Sequence, residues 1–453
     1  RVRSSAASDV YKRQPSYIIR SMRKMFSHCL KLSYKDTAQQ NSYVTIPRAT
    51  NSFDNTEIVA NVDEDIIDSL TGGRLVGSVT SFENFAECPL RYYLRYGVDL
   101  KEREEFTFSP VNFGVVLHAV IREVCDEIKK NGESYYLISE EKRREMVKRS
   151  VAAITDIYQN SILKDSSRNS FMIKRMEDLA DRTVWAMGEQ LKCGDFVPFV
   201  FEHKFNMEVG DGDRKQLMSG TIDRVDICEN GTDVYVRIID YKTGKKDFNI
   251  VKTYYGIDIQ LMVYMEAAMK LVAKMRPGKN VIPAGVFYYN ISDPIVSATT
   301  ESAEEIEDKI KGELRLKGMV NSDKDIAEKM DNTGGTSLNI PVSRKADGGF
   351  DSRRSKVMNT EQFNMLGRFV DVRAVDTADR IAGGDIRRSP YKDGQFSSCD
   401  RCPYGAVCGF SVDLPGCNYR KLKKFDDEVL WNNIKEGVDE NGKKMDTGAE
   451  ERD

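Results

Sequence analysis

The sequence has none of the patterns that would place the chain in a membrane or lead it across one. It contains no apolar run of membrane-spanning length and no signal-peptide pattern. It also contains no GxxxxGK(S/T) phosphate loop, so the chain itself is not expected to hydrolyse ATP. We therefore expect a protein of the cytoplasm that has no membrane partner.

The sequence also has little excess charge of either sign. Its 68 basic and 71 acidic residues leave a net charge of −3. This balance argues against a histone-like partner, but an enzyme that processes nucleic acid needs only a local basic groove. With 453 residues, 40% of them hydrophobic, the chain is long enough for two or three domains and a sizeable core.

Changes in composition divide the chain into four segments. Residues 1–14 are basic and serine-rich, and we interpret them as an artefact of sequence assembly. Residues 15–75 begin with a helical pattern and continue as a polar, acidic linker. We predict the folded domain over 76–425, and we expect 426–453 to be a polar tail without structure.

An acid and a lysine end the apolar strand that we predict over 233–242. Residues there alternate with period two, so Asp240 and Lys242 project from the same face. Together they offer a carboxylate for a metal ion and an ammonium that can orient or deprotonate a water molecule. Taken alone, such a pair is more often a salt bridge at a strand end.

Two neighbouring segments add polar groups to this pair. A strand predicted over 215–228 contains Asp223 and Asp226, and an acid inside a strand is costly unless a positive charge faces it. The helix predicted after Lys242 carries Gln260 and Tyr264 four residues apart, hence on one face.

The other patterns predict an α/β core. We expect a charged helical insertion at 301–330 and a long helix at 360–381. The core itself should be an antiparallel meander of three strands, then a helix and a fourth strand, at 198–209, 215–228, 233–242, 257–271 and 285–290.

The folded domain is predicted to open with an aromatic-rich helix over 79–98. Thr80-x-x-Glu83 at its beginning is the pattern of a capping box. Pro89 lacks the N–H that a helix interior needs, so a kink is expected near Cys88.

Four short motifs follow one another along the chain. They are Gly-x-x-x-His at 114–118, Gly-Thr-Ile-Asp-Arg-Val-Asp at 220–226, Asp-Tyr-Lys-Thr-Gly at 240–244 and Gln-x-x-x-Tyr at 260–264. Together they resemble the RecB-type nucleases of the PD-(D/E)XK superfamily. The resemblance covers about 79–420 and extends to the nuclease part of the B subunits of AddAB-type helicase–nucleases, which are much longer proteins. It implies a restriction-endonuclease-like core, a mixed sheet flanked by helices, and it makes 15–75 the end of a helicase-like region.

The resemblance implies metal-assisted hydrolysis of phosphodiester bonds in DNA. Asp223 and Asp240, with His118 and the backbone carbonyl of Tyr241, would hold one or two Mg²⁺ ions, for which Mn²⁺ should substitute. A single histidine on a helix is more often structural, so the assignment of His118 depends on the family motif.

The same resemblance assigns roles to the remaining motif residues and names partners. Lys242 would orient or deprotonate the attacking water, and Gln260 and Tyr264 would support the site or contact the DNA backbone. The substrate would be single-stranded DNA ends, produced while double-strand breaks are processed for repair. ATP hydrolysis would belong to the other helicase/nuclease chain of the same heterodimer, its A subunit.

Three cysteines within ten residues indicate a second metal site. Cys399-x2-Cys402-x5-Cys408 has the spacing of metal ligands in a cytoplasmic protein, but a fourth ligand is missing nearby. The resemblance supplies Cys88, and thus implies a [4Fe-4S] cluster that closes the domain as a four-cysteine staple. A structural zinc ion is the alternative that spacing leaves open, and Cys417 stays unassigned.

Two other functions are compatible with these patterns. A CRISPR-associated iron–sulfur exonuclease has the same motifs, but it is much shorter than this chain. A DNA-binding module without catalysis would be expected to have lost its active-site residues, yet Asp223, Asp240 and Lys242 are all present.

Overall fold

The structure is a computed structural model that describes most of the chain from Val76 onward. The interpretations of residues 1–14 and of the helix beginning at Pro15 lie outside the described residues, as does nearly all of the linker. Within the described part, no helix is long and apolar enough to cross a membrane. The described residues are 61–63, 76–101, 110–157, 167–209, 216–297, 302–414 and 417–450.

The centre of the described part is a mixed sheet of seven strands: β1 (Val76–Ser78), β2 (Val197–Val209), β3 (Gln216–Asn230), β4 (Asp233–Lys242), β5 (Asn280–Asn290), β6 (Lys317–Asn321) and β7 (Val357–Met358). β3 pairs antiparallel with β2 and with β4, which confirms the predicted meander. β5 lies parallel to β4, β6 antiparallel to β5, and β7 parallel to β6. A small second sheet contains β8 (Tyr391–Asp393), β9 (Phe396–Ser397) and β10 (Arg420–Lys421).

Helices pack on both faces of the large sheet. They are α1 (Val79–Glu87), α2 (Pro89–Tyr92), α3 (Pro110–Lys130), α4 (Glu140–Ile157), α5 (Ser167–Lys192), α6 (Ile250–Tyr254), α7 (Gln260–Met275), α8 (Ala303–Glu313), α9 (Lys324–Met330), α10 (Thr360–Ala382), α11 (Gly405–Cys408) and α12 (Asp427–Glu450), with a π-helical turn, Tyr93–Gly97, after α2. One apolar core contains residues of α3, α4 and α5, and the other contains residues of α7, α10 and α12. The expected α/β class, a mixed sheet flanked by helices, is confirmed.

Strand β4 divides its side chains between these two cores. Tyr235, Ile239 and Tyr241 belong to the core with α3, whereas Val234 and Val236 belong to the core with α7. The period of two therefore persists to the end of the strand, and it directs Asp240 and Lys242 toward the α7 side.

The opening helix is kinked where predicted but capped differently. Cys88 is extended, with φ −167° and ψ 117°, between α1 and α2. The predicted capping box at Thr80 is wrong, because Ser78 is the N-cap and its Oγ accepts a hydrogen bond from Ser81 N at 3.2 Å. Glu83 is thereby free to bind another element.

Two predicted segments differ from the structure because each contains apolar residues that pack into the domain. The expected helical insertion at 301–330 contains β6, which joins the sheet at β5. The expected unstructured tail instead forms α12 over Asp427–Glu450. Leu430 and Ile434, one helical turn apart, are buried in the same core as Phe369 of α10.

Candidate active site

The candidate site lies where β4 separates from β3. Backbone pairing between these strands ends at Arg224 and Ile239. At Asp223, the residue before Arg224 in β3, a side chain replaces the backbone as the hydrogen-bond partner of β4. Oδ2 of Asp223 accepts a hydrogen bond from the backbone N–H of Tyr241 at 2.6 Å. We call this divergence of the two strands the fork. Asp240 and Lys242 lie at the end of β4 beside it.

The first group of polar side chains at the fork comes from three elements. His118 on α3 has Nδ1 3.4 Å from Asp223 Oδ1 and 3.8 Å from Glu202 Oε1. One ligand atom from each of the three residues lies within 4.8 Å of the other two, which is suitable spacing for one metal ion. Burial opposes the charge on His118, but hydrogen bonds and the charges of Asp223 and Glu202 raise its pKa to about 10.

Glu202 is a member of this group that sequence reasoning missed. It lies on β2 between Phe201, which pairs with Arg224, and His203, which pairs with Ile222, so it faces Asp223 across the strands. Its φ is +47°, a left-handed value that is unusual for a residue other than glycine inside a strand. Such backbone strain concentrates at functional sites, where surrounding contacts maintain it.

The second group surrounds Lys242 on the α7 side of β4. Lys242 Nζ is 2.5 Å from Asp240 Oδ2 and donates a hydrogen bond of 2.9 Å to Gln260 Oε1. Gln260 Nε2 in turn donates to the Tyr264 hydroxyl at 3.0 Å. Burial and the nearby charge of Asp223 raise the pKa of Asp240 to about 6, although Lys242 opposes the shift.

The structure thus brings every predicted active-site residue to the fork but divides them into two groups. Asp240 is held by Lys242, as the salt-bridge alternative anticipated, and Glu202 completes the group around His118. Tyr241 contributes its N–H to Asp223, which joins the two groups. The ligand roles assigned from the resemblance stay predictions.

Comparison with known proteins identifies the family that this arrangement comes from. A family model described as the PD-(D/E)XK nuclease superfamily matches residues 77–409. The chain belongs to this superfamily. It is also similar to the B subunits of proteins called ATP-dependent helicase/deoxyribonuclease.

Three such relatives illustrate the extent of the similarity. The B subunit of Thermoanaerobacter sp. strain X514 is 33% identical over 380 residues, which are 82% of this chain and 33% of that protein. The one from Lachnoclostridium phytofermentans is 33% identical over 399 residues, 86% of this chain and 34% of the relative. The one from Clostridium acetobutylicum is 34% identical over 397 residues, 85% and 34%. The chain spans about a third of the length of these curated relatives.

Further polar groups in this PD-(D/E)XK domain surround Lys242 at a greater distance. Glu83 of α1 accepts hydrogen bonds at the beginning of α7, and burial raises its pKa to about 7, although Lys246 opposes the shift. Lys246 Nζ is 3.0 Å from Asp258 Oδ1, which also accepts a 2.6 Å hydrogen bond from the Tyr288 hydroxyl. Burial lowers the pKa of Lys246, but the charges of Asp258 and Glu83 outweigh this effect and raise the pKa overall.

A groove of about 1180 Å³ in the PD-(D/E)XK domain begins at the loop after Lys242. Thr243 and Gly244 form its wall next to the fork. Its charged lining side chains are of both signs. The basic ones are Lys174, Arg175, Lys245, Lys246 and Lys317, and the acidic ones are Asp178, Asp247, Asp293 and Glu313.

The four predicted cysteine ligands of the PD-(D/E)XK domain line one small cavity of about 20 Å³. Burial raises the pKa of the Cys88 and Cys408 thiols, and it raises that of Cys399 to about 11. Among the described residues, no three of these sulfur atoms lie within 4.8 Å of one another. Cys417 is buried but does not line this cavity.

Proposed function

We propose that this chain is the metal-dependent deoxyribonuclease part of a helicase–nuclease complex that processes double-strand DNA breaks. The observation that carries the proposal is the fork, where His118, Glu202 and Asp223 lie beside the Asp240–Lys242 pair. The superfamily and the names of the relatives support the same function. They also favour it over the CRISPR-associated exonuclease and over a module without catalysis.

The chemistry of the donor groups fits a divalent cation. The carboxylate oxygens of Glu202 and Asp223 suit Mg²⁺, with Mn²⁺ as a substitute, and His118 adds a nitrogen ligand of the kind that transition metals accept more readily. Oδ2 of Asp240 is buried and has the Lys242 ammonium nearby but no hydrogen bond of regular geometry, so this oxygen retains capacity for a ligand. When bound, such an ion polarises the scissile phosphate and lowers the pKa of an attacking water.

Lys242 would act on the phosphate through its charge and its donors. The ammonium is held by Asp240 and Gln260, so its position is fixed before DNA arrives. A fixed positive charge next to the reacting phosphate stabilises the negative charge that develops in the transition state. Tyr264 contributes by orienting Gln260.

The proposed substrate is a single-stranded DNA end lying in the groove beside the fork. The groove has five basic and four acidic lining residues; Lys245, close to the fork, is one of the basic residues that would contact phosphates, and backbone contacts of this kind carry little sequence preference. The proposed partner is the A subunit of the same heterodimeric complex, which would supply ATP hydrolysis. Location in the cytoplasm stays a prediction from the sequence.

We further propose that the cysteine cavity holds a [4Fe-4S] cluster as a structural staple. All four predicted ligands line the same cavity, which supports one metal group shared by Cys88, Cys399, Cys402 and Cys408. A zinc ion held by the four thiolates is the alternative.

A cleavage assay on single-stranded DNA with Mg²⁺ and no ATP tests the nuclease function. Asp240→Ala and Lys242→Ala should each lower the rate at least about a hundredfold, because each removes a contact made in the transition state. Asp233→Ala, at the opposite end of the same strand, is the control and should cut normally. Equal cutting by all three variants, or cutting that survives EDTA, would show that the assigned site or the reaction class is wrong.

Metal analysis and colour test the staple. Anaerobically purified protein should be brown, with broad absorption at about 400 nm and about four iron atoms per chain. Cys88→Ala should lose the colour as fully as Cys402→Ala, whereas Cys417→Ala should keep it. Colourless protein that contains one zinc ion would mean that the site holds zinc and not the cluster. Full metal content in Cys88→Ala would mean that Cys88 is not a ligand.

A further inference from the structure

Glu83 caps a helix to which it does not belong. Its Oε1 accepts hydrogen bonds from the backbone N–H groups of Ile259 and Gln260, each at 3.0 Å. Ile259 is the N-cap of α7, and its own side chain makes no capping hydrogen bond. Glu83 therefore satisfies donors that the start of a helix leaves open, and its negative charge suits the positive end of the helix dipole.

The helix end that Glu83 caps is also the one that holds Lys242. Gln260 is the first residue of α7, and its amide is used on both sides. Its oxygen accepts from Lys242 at 2.9 Å, and its nitrogen donates to Tyr264 at 3.0 Å. Any shift of the α7 terminus would thus carry Gln260 away from Lys242.

The other end of α1 is bonded to the cysteine-bearing region. Cys88 follows α1 directly and lines the cysteine cavity. Ser398, the residue before Cys399, donates its hydroxyl to the Glu87 carbonyl at 3.4 Å, and Arg420 donates to the Ala86 carbonyl. α1 is therefore fixed by the cysteine region at its end and bonds α7 at its middle.

We propose that Glu83 is a positioning residue for Lys242. Glu83 acts on Lys242 through the N-terminus of α7 and Gln260, and it thereby couples the cysteine region to the active site. This inference rests on the proposed nuclease function and adds to it a residue that does not contact substrate. It predicts that the placement of Lys242 depends on α1, an element 159 residues earlier in the chain, counted from Glu83.

Kinetics of the full chain distinguish positioning from simple stabilisation of the fold. Glu83→Ala should lower kcat about ten- to a hundredfold, as expected when a catalytic group moves by about 1 Å, with KM for DNA little changed. Glu83→Gln keeps an acceptor oxygen for both N–H groups, so it should recover most of kcat. Glu87→Gln is the matched control, one turn further along α1, where the carboxylate instead pairs with Arg91.

A double-mutant cycle tests the route through Gln260. If Glu83 acts through Gln260, then Glu83→Ala should cost little in a Gln260→Ala background. If the two losses of kcat simply multiply, the route is wrong. A loss in Glu83→Ala that appears only as lower thermal stability, with kcat per folded molecule unchanged, would overturn the proposal as well.

A readout independent of cleavage separates this proposal from the nuclease function. Lys242 should be modified faster by an amine-reactive reagent in Glu83→Ala than in the wild type, and Glu83→Gln should resemble the wild type. Peptide mass spectrometry gives the rate for this one lysine. If the wild type does not cut DNA but Lys242 is released as expected, the nuclease function fails and the positioning role stands; if the labelling rates are equal, the positioning role fails.

Discussion

Replacing Asp226 by asparagine is expected to destabilise the domain far more than removing the second arginine that binds it. Asp226 accepts hydrogen bonds from Arg224 Nε and Nη2 at 2.7 and 2.6 Å, and from Arg237 Nε at 2.8 Å. All three side chains are at most 1% exposed. Arg224 and Arg237 thus both provide the positive charge that we expected to face Asp226.

The magnitude follows from what each substitution leaves in the core. Asp226→Asn keeps the shape but leaves two guanidinium groups buried without a counter-charge, and removing one partner of a buried ion pair costs about 3–5 kcal/mol. At about 2 °C per kcal/mol for a large domain, the melting temperature should fall by about 6–10 °C. Arg237→Met instead leaves the bidentate Arg224–Asp226 pair intact and removes the excess charge, so its cost should be about 1 kcal/mol or less.

Arg237 is the weaker of the two partners for a visible reason. Its Nη2 lies 2.8 Å from Asp226 Oδ2 but makes no hydrogen bond of regular geometry, and burial lowers the pKa of its guanidinium. Thermal unfolding of both variants, followed by circular dichroism at one pH, is the assay. A fall in melting temperature for Arg237→Met as large as that for Asp226→Asn would refute the reasoning.

Three further predictions test other parts of the structure. Glu202→Gln should weaken Mn²⁺ binding about ten- to a hundredfold without unfolding the chain, as measured by titration calorimetry. Unchanged affinity would mean that Glu202 is not a metal ligand beside His118 and Asp223. Burial and Glu266 raise the pKa of Asp371 to about 8, against the charge of Lys270. The folded chain therefore holds this proton more tightly than the unfolded chain. The stability that the proton contributes is fully present below the ordinary pKa of an aspartate and is lost as the pH rises through 8. Asp371→Asn should then melt higher than the wild type at pH 9 but not at pH 4, and a constant difference would contradict the shift. Ile434→Ala should cost about 2–5 kcal/mol in denaturant unfolding, because Ile434 is fully buried; a cost near zero would mean that α12 is not part of the core.

The parts of the site that sequence predicted depend on local periodicity. A strand directs alternate residues to one face, so Asp240 and Lys242 could be placed together from their spacing alone. The same holds for Gln260 and Tyr264, which are four residues apart on a helix and hydrogen-bonded in the structure.

The parts that sequence did not predict depend on contacts between distant elements. Glu202 joins His118 because β2 pairs with β3 in a particular register and because its backbone has a left-handed φ, neither of which has a local signature. The predicted meander did contain part of the answer, since Glu202 faces Asp223 once the register is known. Glu83 had a plausible local role as a capping-box acid, and a nearer cap, Ser78, made that role unnecessary.

The flexibility of lysine explains why the beginning of α7 lies next to Lys242 in the site. A lysine side chain has several rotatable bonds, and ordering it costs up to about 2 kcal/mol of conformational entropy. Asp240, on the same strand, provides charge but allows the ammonium to move around it; the second contact from Gln260 restricts that motion. Gln260 is itself a flexible side chain, so it can restrict Lys242 only if the end of α7 is fixed, and the N–H groups there need an acceptor in any case. A carboxylate from α1 meets both requirements with the same two hydrogen bonds.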